Sequence, residues 1–119
     1  MTRKEWGDKI RNACCEAGTY KPFFDTVIDQ LAGILEVRDN AQAIFEASGN
    51  SPVITHTNKS GHVNMVKNPS LVILNECNQE ALAYWRDLGL TPAGYKRLTA
   101  GTEQKEDNKF ESMLAKIGV

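Results

Sequence analysis

Eight cationic side chains in this 119-residue chain are placed to do chemistry: Arg3, Lys4, Lys9, Arg11, Lys59, Lys67, Lys96 and Arg97. The chemistry they could do is to hold phosphate. A cation set against a phosphodiester releases condensed counterions, and many such contacts sum to a salt-sensitive affinity. The eight fall into three patches, at 3–11, 59–67 and 96–97. The formal net charge is −1, so one copy should hold a polyanion poorly. Several copies presenting the same patch side by side would hold it better.

Other chemistry is weakly supported. His56 and His62 are six apart in a stretch of hydroxyl and amide side chains. As a zinc pair they would need two further ligands, and no cysteine is near them in sequence. The chain lacks GxxxxGK[ST], GxGxxG and HExxH. Its carboxylates are spread through helical segments as a solvated face, and no nucleophile and base are suggested by spacing. Catalysis, a bound metal and a cofactor are therefore not expected. Cys14, Cys15 and Cys77 are odd in number, two are adjacent, and none forms CxxC, which fits a reducing compartment and small buried side chains better than a disulfide framework. No apolar run approaches the roughly 20 residues that span a bilayer, and the basic N-terminal stretch is not followed by the apolar segment of a signal peptide.

The elements that would position these cations are mostly helical. Residues 2–17 place Trp6, Ile10, Ala13, Cys14 and Ala17 at helical spacing, with Gly18 as a stop. Residues 1–21 carry five basic and three acidic side chains. Residues 22–48 form the longest periodic segment. Phe24, Val27, Leu31, Ile34, Ala41 and Phe45 recur close to a heptad, and Pro22 suits a first turn. Arg38 falls on that seam, where it either snorkels out of the core or pairs with Asp39 or Glu36 of a neighbouring copy. Gly33 either allows a close approach or is simply tolerated. This segment has one basic and five acidic residues.

Residues 49–67 break the helical pattern. Alternation at Val53, Thr55 and Thr57, the turn residues "NKSG", then Val63 and Met65 predict a small β-hairpin or a long ordered loop at about 52–66. A helix over 69–88 follows, capped by Asn68 with Pro69 at its first position. Leu71, Leu74, Leu82 and Trp85 lie on one side of it, and Ile73, Cys77, Ala81, Tyr84 and Leu88 on another. So wide an apolar arc must be covered from two directions, either by the other helices or by a second subunit. "LGLTPAGYKRL", residues 88–98, reads as a fixed corner. Gly89 ends the helix in a left-handed turn, Thr91 caps a new short helix with Pro92 at its start, and Leu90 and Tyr95 have the spacing of a hydrophobic staple. Residues 99–109 are polar, and Phe110, Met113, Leu114 and Ile117 then recur as an amphipathic stripe suited to docking on a partner or on the chain's own domain. The expected organisation is a mainly α protein: a helical bundle over 1–98 and a flexible tail with a short amphipathic helix over 99–119.

From Lys67 to Leu98 the chain resembles a family of small terminase subunits of tailed bacteriophages. The residues that carry the resemblance are Asn68, Pro69, Leu71, Ile73, Leu74, Asn75 and Glu76, followed at the right distance by Leu88, Gly89, Leu90, Thr91 and Pro92, then Arg97 and Leu98. The chain departs from the family at Ala93, Gly94 and Tyr95, where Ser-Ser-Arg is frequent. The resemblance implies a non-catalytic protein of the host cytoplasm during virion assembly. It would recognise double-stranded viral DNA where packaging starts, assemble into a homo-oligomeric ring, and load and regulate a large subunit that holds the ATPase and nuclease.

On that reading the ring contacts would involve Phe24, Val27, Leu31, Ile34, Arg38 and Phe45 of one helix and Leu74, Tyr84 and Trp85 of the other. The three basic patches would meet DNA, the N-terminal helix foremost, as related small subunits often carry DNA-binding elements near that end. Phe110, Met113, Leu114 and Ile117 would dock the large subunit. Two other readings are a small dimeric helical DNA-binding regulator and a phage structural adaptor without DNA contact.

Overall fold

The computed structural model describes residues 1–100; the expected docking stripe at Phe110, Met113, Leu114 and Ile117 lies outside them. Helix α1 spans Arg3–Ala17. Thr2 caps it by accepting from the Glu5 amide at 3.2 Å, which satisfies a backbone donor that has no partner within the helix. Gly18, at φ 72°, ends it. Trp6, Ile10 and Cys14, one turn apart in series, form its buried edge.

A single 3-10 turn at Pro22–Phe24 leads into α2, Asp25–Ala47. Ile28, Leu31, Ala32 and Leu35 are each at most 1% exposed, and they meet Trp6, Ile10 and Cys14 of α1 and Ala81 and Leu88 of the third long helix in one core. α2 is thus the central element, with α1 on one side and α3 (Pro69–Asp87) on another. The two apolar sides expected for α3 are not both used. Leu74, Cys77, Ala81 and Leu88 are buried, whereas Ile73 and Leu82 remain 43% and 49% exposed. One arc drawn from both sides faces α2, and the remainder faces solvent.

Strands β1 (Val53–Thr57) and β2 (Val63–Lys67) form an antiparallel hairpin between α2 and α3, in the register Val53↔Lys67 to Thr57↔Val63. The expected choice between hairpin and loop therefore resolves as a hairpin. Asn58 builds its turn: the side-chain oxygen accepts from the Ser60 and His62 amides, and Gly61 takes φ 80°. Every strand residue except Ile54 is exposed.

Asn68 ties the hairpin to both helices. Its amide nitrogen donates to Ser48 Oγ and the Ser51 carbonyl, each at 3.0 Å, while its oxygen accepts from the Ser70 amide at the start of α3. At 4% exposure, it meets its hydrogen-bonding needs within the fold. At the other end, the Thr19 hydroxyl donates to the Leu88 carbonyl at 2.9 Å. Since the end of α2 meets the start of α3, and the turn before α2 meets the end of α3, the two helices run antiparallel.

The corner at 88–98 forms as expected. Gly89 has φ 74°, the Thr91 hydroxyl accepts from the Gly94 amide at 3.0 Å, and a fourth helix, α4, runs over 92–100. That helix passes the expected boundary at 98. Leu90 packs against the core, while Tyr95 lines a separate cleft beside Lys21, Phe24 and Leu98.

Candidate nucleic-acid interface

The expected phosphate-binding cations divide by what already holds them. On α1, the Arg3 guanidinium meets the Asp29 carboxylate through two hydrogen bonds at 2.9 and 3.0 Å. It also lies where a side chain at Gly33 would project, 3.0 Å from the added Cβ to the guanidinium carbon. What comes close at Gly33 is the Arg3 side chain, the guanidinium filling the space a Cβ would face. Arg11 bonds Asp25 at 3.2 Å and Asp8 at 3.4 Å. The hydrogen bond to Asp25, its charge, and lesser contacts with Tyr20 outweigh desolvation and raise the Arg11 pKa. Lys9 sits 5.1 Å from the Trp6 ring centroid, an attraction between a cation and the ring's negative face. Three of the four α1 cations thus have partners within the protomer, and Lys4 has no carboxylate partner among the described residues.

Arg38 also turns inward. Its guanidinium donates to its own neighbour Asp39 at 3.1 Å and lies 5.2 Å from the Trp6 centroid. Asp39 accepts in addition from Trp6 Nε1 at 2.7 Å and pairs with the α-amino group at 3.3 Å. Burial alone would raise the Asp39 pKa, but the hydrogen bonds from Trp6, Arg38 and the α-amino group hold it below its ordinary value. These groups clamp α1 to α2.

The second and third patches are different. Lys59 stands in the hairpin turn and Lys67 at its base; Lys96 and Arg97 are exposed on α4; none has a carboxylate partner among the described residues. The fold adds two cations to the α4 corner that sequence reasoning missed. Lys21 lines the cleft with Tyr95, Leu98 and Thr99. Arg86 comes from the last turn of α3, where the Gly94 backbone packs against its own. Only the turn geometry brings Lys21, Arg86, Lys96 and Arg97 to one corner, although their distant sequence positions conceal it. His56 and His62 lie on the hairpin and its turn, and among the described residues no group of three or more His, Cys, Asp or Glu could hold a metal.

The residues expected at subunit contacts also divide. Leu31 is wholly enclosed and Leu74 is 8% exposed, so both belong to the protomer core. Phe24, Val27, Ile34, Tyr84 and Trp85 are half-buried against that core, and Phe45 is half-buried. The large apolar side chains left outside are others, among them Phe23 (74%), Met65 (70%), Val63 (63%), Ile44 (62%) and Val37 (49%), with Ile73 and Leu82. Among the described residues no helix is long and apolar enough to cross a membrane.

Compared with known families, residues 2–105 match the family described as phage terminase, small subunit. No curated protein matches the chain, and no solved structure does.

Proposed function

Because the chain belongs to the phage terminase small-subunit family, we propose that it is the non-catalytic, ring-forming subunit that binds viral DNA and delivers it to the large ATPase-nuclease. The family match over residues 2–105 is the observation that carries this reading. Two physical features support it. The protomer leaves Val37, Ile44, Val63 and Met65 exposed outside its core, and apolar side chains grouped on a surface mark interaction sites. Among the described residues, the cations without carboxylate partners gather mainly at the α4 corner and the hairpin rather than over the whole surface.

A ring repeats that corner once per subunit. Each protomer then contributes Lys21, Arg86, Lys96 and Arg97 to the same circumference, while Lys59 stands in the hairpin turn, beyond the opposite end of α3. Such a belt follows the phosphate backbone without reading bases, because phosphate contacts fix position but carry little sequence information. The fold weakens the case for α1 as the main DNA element, since Arg3 and Arg11 would have to leave carboxylates to take up phosphates. The segment bearing Phe110, Met113, Leu114 and Ile117 docks the large subunit in the host cytoplasm.

The test is light scattering of the full chain with and without double-stranded viral DNA, alongside the ATPase rate of the large subunit. A mass of several subunits, a DNA complex weakened by salt and a stimulated ATPase are expected. A dimer that binds DNA would favour a regulator. An oligomer that binds no DNA would favour a structural adaptor.

A further inference from the structure

The hairpin is poorly explained by its own protomer. An isolated two-stranded hairpin is marginal in water and gains stability when a third layer covers a face. Here the register sets Val53, Met65 and Val63 on one face, and Val63 and Met65 are 63% and 70% exposed. The phosphate backbone would not cover them, because it offers no apolar partner for a valine and a methionine. A protein surface would. The hairpin's charge narrows which surface: residues 47–75 contain two lysines, two histidines and no Asp or Glu.

A surface of the complementary kind lies along the groove between α2 and α3. The groove, about 260 Å³, is lined by Gln30, Gly33, Ile34, Val37, Cys77, Glu80 and Arg3, whose charge is already met by Asp29. Val37 and Ile44, seven residues apart, share one face of α2 and are 49% and 62% exposed. The antiparallel course sets Ile44 toward the start of α3, where Ile73 is 43% exposed. Glu80 lines this groove, and Glu76, one turn earlier on α3, lines the neighbouring cleft with Val53 and Lys67. Both act on Cys77: after desolvation, the larger cause, their charges raise its pKa, and the Arg38 charge lowers it by less. Neither has a cationic partner among the described residues.

We propose that the hairpin of one copy docks, through Val63 and Met65, into the acid-edged α2–α3 groove of the next copy. The inference rests on the ring reading and says how the ring is joined. A closed ring needs a heterologous contact between two unlike surfaces on each subunit. This protomer carries such a pair: a basic apolar hairpin, and an apolar groove between α2 and α3, two helices that together hold eight Asp and Glu against two Arg. Docking gives the hairpin its third layer and covers Val37, Ile44 and Ile73.

The experiment uses two variants of the full chain, Val63→Asp/Met65→Asp and Val37→Asp/Ile44→Asp. All four side chains are exposed in the protomer, so both variants should keep the wild-type helical circular dichroism. By light scattering, each variant alone should fall to the mass of one 13.2 kDa chain. An equimolar mixture should form a dimer and go no further, because one intact hairpin still meets one intact groove. The inference is overturned if the hairpin variant keeps the wild-type oligomer mass, including the case in which it loses only DNA binding. It is also overturned if two folded variants remain single chains when mixed. A wild-type protein that is itself a single chain sinks the ring reading as well, which separates the two failures.

Discussion

Gly94 packs its backbone directly on the carbonyl of Arg86, leaving no room for a side chain. A Cβ built there would clash with the Arg86 oxygen and lie 2.9 Å from its carbonyl carbon. The glycine is thus a condition for folding α4 back on the end of α3. Gly94→Ala should cost about 1–3 kcal/mol through overpacking, which for a domain of this size lowers the melting temperature by roughly 4–8 °C per kcal/mol. Gly7→Ala is the control. Nothing lies within 4 Å of the added Cβ in the middle of α1, so it should stabilise by about 0.5–1 kcal/mol. Thermal melts of the two variants should move in opposite directions.

Asn68 performs two tasks with two ends of one amide. Its oxygen caps α3, and its nitrogen holds Ser48 and the Ser51 carbonyl at the hairpin base. Asn68→Ala should lose about 0.5–2 kcal/mol from the cap alone and speed amide exchange in both the first turn of α3 and the hairpin. Asn68→Asp retains the cap oxygen but puts an acceptor against the Ser51 carbonyl. Exchange should then rise in residues 53–67 while the start of α3 stays protected. Equal exposure of both regions in the two variants would show that the cap and the anchor are one cooperative unit.

The Asp39 cluster makes the seating of α1 depend on acid. Its carboxyl is held below the ordinary range in the folded chain, so the charged form is favoured by folding. That contribution is complete above the unfolded carboxyl's pKa of about 4 and is lost as pH falls through the lower folded value. Trp6, which donates to Asp39 at 2.7 Å, reports the change. Its emission should shift toward that of a solvated indole on acidification, before the helical signal collapses. Asp39→Asn should remove this early step and lower stability at neutral pH. An unaltered acid profile in that variant would place the sensitivity at another carboxylate.

The elements are more legible in the sequence than their arrangement. Gly18, Asn68–Pro69, Gly89 and Thr91–Pro92 mark helix ends through local backbone needs, which a sequence carries without reference to distant parts. Turn chemistry in "NKSG" likewise points to the hairpin, and the structure adds that Asn58 supplies its acceptor. The wide apolar arc of α3 calls for cover from two directions, by the other helices or by a second subunit, and within the protomer it is α2 that holds the centre. Periodicity tells which residues share a face, but it does not tell which face is covered by what. The same gap conceals the fate of the cations. Arg3 and Asp29 are 26 residues apart, and only the packing of α1 on α2 brings them together. Lys21 and Arg86 look isolated until the Gly18 and Gly89 turns bring both to the α4 corner.

That division of the cations predicts two classes of variant. For duplex DNA, the logarithm of affinity falls with the logarithm of salt by about 0.9 for each neutralised phosphate. Lys96→Ala/Arg97→Ala removes two exposed cations with no carboxylate partner among the described residues. The salt slope should therefore flatten by about 0.9 for each phosphate these cations neutralise, while the fold holds. Arg3→Ala/Arg11→Ala removes cations already spent on Asp29, Asp25 and Asp8. The slope should stay near wild type, and the visible effect should be a looser α1, read from Trp6 emission. Oligomer mass must be checked for both, because losing the ring would weaken DNA binding with every basic side chain still in place. If the α1 pair flattens the slope and the α4 pair does not, the duplex lies along α1 and its ion pairs open to receive it.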